Sequence, residues 1–453
     1  MDIAAKTEKD LPLILIFRTW WPLAASWMLM SLEGPAVSAI IARLPYPTIN
    51  LAAYGGIVFP ISLIIEAPII MLLAASTALS KDYASYQKLR RFMMLAGGSL
   101  TLLHILVAFT PLYYVVVVGI IGAPEEIVEP ARYGLMIMTP WTWAIAYRRF
   151  NQGVLIRFGH SQTVAIGTGI RLTTDIIVLV SGYLIGSIPG VVIASAAIAA
   201  GVVSEAVYTG IVVRPVVNNE LKQAKTVKTP LTRRAFLDFY IPLAMTSLII
   251  LLANPIGSAA LSRMPQPLVS LAVWPVVGGL VFLFRSMGIA YNEVVVALLD
   301  KPRSSHNLRR FTVLLSGAAT GLLLLITLTP LSTIWFERVL ALSPELSELA
   351  QTGLLIALPL PALSVWQSWY QGAILHSRRT RGITEAVVIY LVTSAIVLVF
   401  GVIWGKTIGI YFGLAALTIS VTVQTAWLWF RSLPALQDVY KRDTYLSTNQ
   451  GAD

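Results

Sequence analysis

Apolar residues run along the chain in long unbroken stretches parted by short polar loops. Twelve such stretches can be read, at 19–42, 51–79, 92–120, 131–147, 161–185, 190–213, 236–262, 270–298, 311–335, 351–375, 383–404 and 408–430. A helix crosses a bilayer with about 17–25 mostly apolar residues, and every stretch reaches that length. The stretches are continuous, not alternating, and are longer than a barrel strand requires, so they predict helices. The expected fold is an all-α integral membrane protein with twelve transmembrane helices.

The pattern repeats. Pro22-Leu23-Ala24 recurs as Pro242-Leu243-Ala244, and Arg43-x-Pro45-x-Pro47 as Arg263-x-Pro265-x-Pro267, a shift of 220 residues. Further on the shift is 219. Leu89-Arg90-Arg91-Phe92 matches Leu308-Arg309-Arg310-Phe311, and Gln152-Gly153 matches Gln371-Gly372. Apolar composition would align Leu and Val by chance, but not prolines, an Arg pair and Gln-Gly in one register. The expected organisation is an N-terminal six-helix lobe (1–213), a cytoplasmic linker (214–235) and a C-terminal six-helix lobe with a short tail (236–453). Six spans is an even number, so both copies enter from one side as parallel repeats. Two such lobes would leave a cleft between them, opened to each side in turn.

Composition narrows the class. Of the 453 residues, 57% are hydrophobic and 12% charged, against about a quarter charged in a soluble domain. A soluble enzyme and a disordered chain are excluded. With no cysteine there is no disulfide and no thiolate chemistry. A net charge of +11 would suit a nucleic-acid partner, but the Lys and Arg sit in alternate loops at 81–91, 148–160, 214–234, 301–310 and 376–382. The opposite side holds only Arg43, Arg132, Arg263, Arg338 and Lys406. By the positive-inside rule both termini face the cytoplasm, in a cell-membrane protein whose basic loops touch anionic lipid and bind no nucleic acid. Met1 to Asp10 is polar and no cleavage site follows, so the first span is expected to serve as the targeting signal.

Ionisable groups inside spans are costly and mark function. Glu33 precedes Gly34-Pro35 in span 1, where proline should kink the helix and free carbonyls for a proton or Na⁺. The matching place in span 7 is Ala253-Asn254-Pro255, so the acid is not needed for the fold. Asp175 lies in mid-span 5, one turn from Arg171, as a self-neutralising pair or a switch. Glu66 lies in mid-span 2 before Pro68. In span 8, Arg285 is deep, with Glu293 two turns along the same face; Arg285 would hold an anion or lock to an acid. Glu205 and Glu385 read as interfacial structural groups. Gln152, Gln371 and Gln367 are polar groups near the cytoplasmic ends of spans 4 and 10, and Trp366, Trp369 and Tyr370 beside them suggest an interfacial belt. His104, alone in span 3, reads as a hydrogen-bonding residue. No phosphate loop or metal-ligand spacing occurs, so neither an enzyme, a cofactor nor direct nucleotide drive is expected.

Trp20-Trp21-Pro22-Leu23-Ala24, Leu51-Ala52-Ala53-Tyr54-Gly55 and Ala357-Leu358-Pro359-Leu360-Pro361, with the register of spans, resemble the multidrug/oligosaccharidyl-lipid/polysaccharide (MOP) flippase superfamily. The likeness is to its multidrug and toxic compound extrusion (MATE) transporters and to the progressive ankylosis branch. The Gly-x-x-x-Asp-Arg-x-Gly motif of major facilitators is absent from the loop Lys81 to Arg91. The resemblance implies a secondary exporter of a small organic solute, and a monomer is expected. Proton-coupled MATE proteins carry acids in spans 1 and 5, which makes Glu33 and Asp175, with Glu66, the implied ion-coupling groups. The present chain departs in having Glu in span 1 and the added Arg171, and it lacks the acids of spans 7 and 10. Arg171, Arg285, Asn254, Gln152 and Gln371 are the candidate substrate ligands. Alternatives are export of organic anions or phosphate-bearing metabolites, a lipid-linked saccharide flippase and, in another class, a non-transporting membrane scaffold.

Overall fold

The computed structural model describes residues 11–225, 227, 230–377 and 381–448. Met1 to Asp10, Lys228, Arg378 and Arg379 of the charge pattern, and the ends of the linker and tail, lie outside these residues. The described residues are helical, with no strand among them. Eleven helical stretches are long and apolar enough to cross a membrane: α1 Leu13–Ala42, α2 Pro47–Glu66, α3 Tyr83–Phe109, α5 Ser161–Ile185, α6 Gly190–Leu221, α7 Arg233–Leu261, α8 Pro267–Leu298, α9 Ser304–Leu328, α10 Pro344–His376, α11 Arg381–Trp404 and α12 Gly409–Tyr445. The remaining long helix, α4 Glu125–Arg157, has 33 residues and is about 50 Å long. It is less apolar than the other eleven and does not count among them. This is the multi-pass membrane fold the apolar stretches predicted.

The loop expected at 148–160 is shorter than expected. Helix α4 continues to Arg157, so Arg148 and Arg149 are helical, and Arg148 is buried. Span 1 breaks at Leu32, between helical segments Leu13–Ser31 and Glu33–Ala42, where Gly34-Pro35 predicted a kink. Span 2 also breaks. Helix ends at Glu66, five turn residues follow, and it resumes as Leu72–Leu79. Pro68 sits in that turn, and its carbonyl accepts from the Tyr240 hydroxyl at 2.6 Å. Irregular backbone at this depth persists only where protein or a wet cavity covers it.

The sequence repeat has a counterpart in backbone geometry. Tyr46 and Gln266 both have left-handed φ (55° and 54°), as do Gly122 and Ala341 (74° and 56°) and Gly186 and Gly405 (70° and 61°). Asn50 accepts from the Val191 amide at 3.0 Å, and Ser270, its equivalent, from Ile410 at 3.1 Å. Wide π-helical turns recur at Val115–Ile121 and Ile334–Val339. A π segment closes α6 at Val217–Leu221, and another, Ala52–Val58, has no partner, because α8 is regular through the equivalent residues. A π turn absorbs an added residue without breaking the helix. That added residue accounts for the change of register between the copies from 220 to 219.

The chain forms two compact packing units. One takes in the described residues of Met1–Pro35, Val276–Val397 and Tyr411–Asp453; the other comprises Ala36–Pro275 and Leu398–Ile410. Packing units and sequence repeat are separate descriptions of the chain.

A polar cap fixes the start of α3. Asp82 is buried and accepts from the amides of Ser85 (2.8 Å) and Val227 (3.0 Å). Burial alone would raise the Asp82 carboxyl, but the hydrogen bonds from Ser85 and Val227 and the nearby Lys88 together lower it below the usual carboxylate value. A carboxyl lowered in the folded state stabilises above its unfolded pKa of about 3.9, and the contribution is lost as pH falls through the folded value. Asp82→Ala is therefore expected to cost about 0.5–2 kcal/mol near neutral pH, and the difference should shrink in acid. Thermal unfolding at a series of pH values checks this; a cost unchanged in acid would refute it.

Candidate functional site

Unit Ala36–Pro275 with Leu398–Ile410 holds a buried charge cluster built from α2, α4, α5 and α6. Arg148 and Gln152 are four residues apart on α4 and so share a face. Both reach Glu205 of α6, Arg148 Nη1 at 2.5 Å and Gln152 Nε2 at 2.8 Å. Arg171 Nε of α5 lies 3.7 Å from the same carboxylate. Glu205 is 0% exposed. Asp175, 2% exposed, is one turn from Arg171 and sits against Gly201, where any Cβ would fall on its carboxylate. Glu66 closes the helical part of α2 and is equally buried, with Oε2 lacking a hydrogen-bond partner. Arg149 feels the charges of Arg148, Glu66, Glu205 and Arg171. Three arginines thus face three acids. Burial strips water from each ion, and only close pairing offsets that cost.

The second polar site lies in the other unit. A cavity of about 290 Å³ is lined by Trp27 of α1, Arg285, Asn292 and Glu293 of α8, and Gln367 and Gln371 of α10. Ser364 Oγ donates to the Arg285 carbonyl at 2.8 Å, and Asn292 to that of Ser368 at 3.3 Å. Gln367 Nε2 donates to Gln424 Oε1 at 3.0 Å. The buried Arg285 Nε has no hydrogen-bond partner.

In the register that follows the unpaired π segment, these two sites are repeat equivalents. Arg148 corresponds to Gln367, Gln152 to Gln371, Glu205 to Gln424 and Glu66 to Arg285. The ion pair Arg148–Glu205 in one copy is the amide pair Gln367–Gln424 in the other. The same helical scaffold carries a salt-bridged cluster once and, once, a hollow site that holds an amide pair and also Arg285 and Glu293.

Among the sequence candidates, Arg171, Asp175, Gln152 and Glu66 therefore come together, and so do Arg285 and Gln371. Glu33 starts the second segment of α1 and is half-buried. It belongs to the unit that holds the cavity. Asn254 donates only along its own helix, to Leu251. Glu205 is not an interfacial group but the centre of the charge cluster, and Trp369 is buried instead of lying in a belt (1% exposed). His104 hydrogen-bonds as expected, to Thr142 at 2.8 Å and the Leu135 carbonyl at 3.0 Å. Glu385 pairs with Arg381 and Arg431. Arg148 and Arg149 were hidden by their place in a polar run ending at Arg157. The four-residue spacing of Arg148 and Gln152 was the available signal.

No protein-family model matches the chain, and no curated protein matches it. Solved structures do. An inward-facing multidrug resistance MATE family transporter of the MOP superfamily superposes with a TM-score of 0.67 at 15% identity, over 92% of this chain and 98% of that one. The lipid II flippase MurJ in an inward closed conformation gives 0.66 at 16%, over 96% and 91%. The Vibrio cholerae MATE transporter VcmN in its bent form gives 0.56 at 17%, over 94% and 97%. The chain has the all-helical fold that these MOP superfamily proteins share. The resemblance read from the short proline and aromatic motifs holds for the fold over nearly the whole chain.

Proposed function

We propose that the protein is a secondary active transporter that exports a small organic solute by alternating access, coupled to H⁺ or Na⁺. The buried cluster of three acids and three arginines carries this reading. Helices that only had to pack would keep no such charge, because each ion is costly at membrane depth, and the fold is one that transporters use. Asp175, Glu66 and Glu33 are the coupling acids. Arg171 and Gln152, first considered for substrate, hold Glu205 and so tune the cluster. The solute occupies the cavity at Arg285 and Gln371; Asn254, whose amide donates within its own helix, is not among the residues that line it. On this reading the protein acts as a monomer in the cell membrane, is not an enzyme and uses no cofactor beyond the coupling ion.

The test is flux into liposomes by purified protein under an imposed pH or Na⁺ gradient, against a panel of dye cations and small organic anions. Gradient-driven movement is expected, and Glu33→Gln with Asp175→Asn should lower it at least about tenfold, as loss of one buried charge interaction would. Intact coupled flux in the double variant would sink the coupling assignment. Orientation is tested in the natural cysteine-free background. An impermeant maleimide applied outside should label Ser187→Cys and spare Lys301→Cys; the reverse would invert the topology.

A second reading, export of organic anions, is favoured by Arg285. Its buried Nε has no hydrogen-bond partner, and a guanidinium is suited to a carboxylate or phosphate.

A further inference from the structure

The cavity at Arg285 contains a second charge. Glu293 lies eight residues on along α8, about 12 Å along the axis, and both residues line the same cavity. Arg285 and Glu293 form no ion pair with each other or with any other described residue. This contrasts with the repeat-equivalent site, where Glu205 is spanned by Arg148 and Gln152. Here the equivalents are amides, and Gln367 spends its donor on Gln424. The walls supply hydrogen-bonding groups but no charge to cancel either ion.

Positions differ along the cavity. Arg285 is the deeper, with a fully buried Nε, and Glu293 is exposed at the mouth. Trp27 of α1 lines the same cavity. An aromatic face next to a carboxylate attracts a soft organic cation, quaternary ammonium above all. A buried guanidinium attracts a carboxylate or phosphate.

We infer that this cavity binds a zwitterionic solute, its anionic group on Arg285 and its cationic group between Glu293 and Trp27. The inference rests on the transporter reading and names its substrate class. A lone cation would leave Arg285 buried without a counter-charge, and a lone anion would bring its charge into a cavity already carrying Glu293. One molecule with both charges satisfies both ends. A volume of about 290 Å³ is at the small end of ligand pockets, which excludes a bulky dye or a lipid-linked sugar from full enclosure.

The experiment measures equilibrium binding to the purified full chain in detergent, with no gradient. It thus reports on the ligand class even if coupled flux fails, and flux that persists without zwitterion preference condemns this inference alone. The probes are trimethylammonio-alkanoates of increasing chain length, with choline and the matching alkanoates as single-charge controls. An optimum length binding at least about tenfold tighter than either control is expected. Arg285→Gln should reduce the zwitterion to the affinity of choline, and Glu293→Gln to that of the alkanoate. Arg285→Lys, which keeps the charge, should retain part of the preference. Choline or an alkanoate binding as tightly as every zwitterion, affinity independent of length, or no binding of any member at millimolar concentration would each overturn the inference. The comparison in the unmodified protein needs no variant to fold.

Discussion

Glu205→Ala is expected to destabilise the protein by about 3–5 kcal/mol, the usual cost of removing one partner from a buried ion pair. Glu205 is fully buried and takes Arg148 at 2.5 Å, Gln152 at 2.8 Å and Arg171 at 3.7 Å. Its loss would leave two buried guanidinium groups without that acid and the Gln152 amide without its acceptor. Against a total stability of about 5–15 kcal/mol, this is a large share. The repeat supplies the control. At the equivalent positions the chain itself uses Gln367 and Gln424, hydrogen-bonded at 3.0 Å. Arg148→Gln combined with Glu205→Gln should therefore recover at least half of what Glu205→Ala loses, because a neutral pair leaves no uncompensated ion. Each single Gln replacement should be worse than the pair, a non-additivity expected of groups in contact. Thermal unfolding followed by tryptophan fluorescence in detergent reads all four. An alanine variant that melts with the parent, or a double variant no better than its singles, would show that the cluster is not a stabilising unit.

The reason Glu205 was misread from the sequence also shows what a linear pattern conveys. The apolar stretches carried the helices, since a membrane span must be apolar along its whole length, and Pro35 carried the break at Leu32, whereas span 2 reads as one run and its break after Glu66 was not foreseen. Arg148 and Arg149 gave the opposite impression. They sit at the end of an apolar run and near Arg157, so they look like the start of a basic loop. Burial of a charge depends on what packs against it, and Glu205 is more than fifty residues away in α6. Asp175 and Arg171 were legible because their surroundings are apolar on both sides. The equivalence of Glu66 with Arg285 was hidden by a single residue. The register of the repeat changes between Leu51 and Leu89, and only the π segment Ala52–Val58 locates the change before Glu66. Without it, the two polar sites do not align and their opposite chemistry goes unseen.

The repeated Gln-Gly pair makes the second large prediction. Gly153 and Gly372 each sit where α4 and α10 press on a neighbouring helix, but the neighbours differ. A Cβ on Gly153 would strike the Leu73 carbonyl and Ser76 Oγ and come within 3.0 Å of the Thr77 amide. The same contact is bonded, with Ser76 Oγ donating to the Phe150 carbonyl at 2.7 Å and Thr77 Oγ1 to that of Gly153 at 3.2 Å. Backbone cannot yield as a side chain does, so Gly153→Ala must part the helices and lose those bonds. The expected cost is about 3 kcal/mol or more, the upper end for overpacking. On Gly372 a Cβ would meet Val295, at 2.5 Å from Cγ1 and 2.7 Å from Cβ, while the nearest backbone atom, the Asn292 carbonyl, is 3.7 Å away. Trimming the neighbour should then rescue one site and not the other. Val295→Ala removes the 2.5 Å contact and leaves the 2.7 Å contact to Cβ, so it is expected to restore part of the stability lost in Gly372→Ala, whereas Ser76→Ala leaves Gly153→Ala impaired because Leu73 and Thr77 still block the way. Equal rescue at both sites would mean that side chains alone set the separation of these helices. Failure at Gly372 would mean that the backbone does so in both copies.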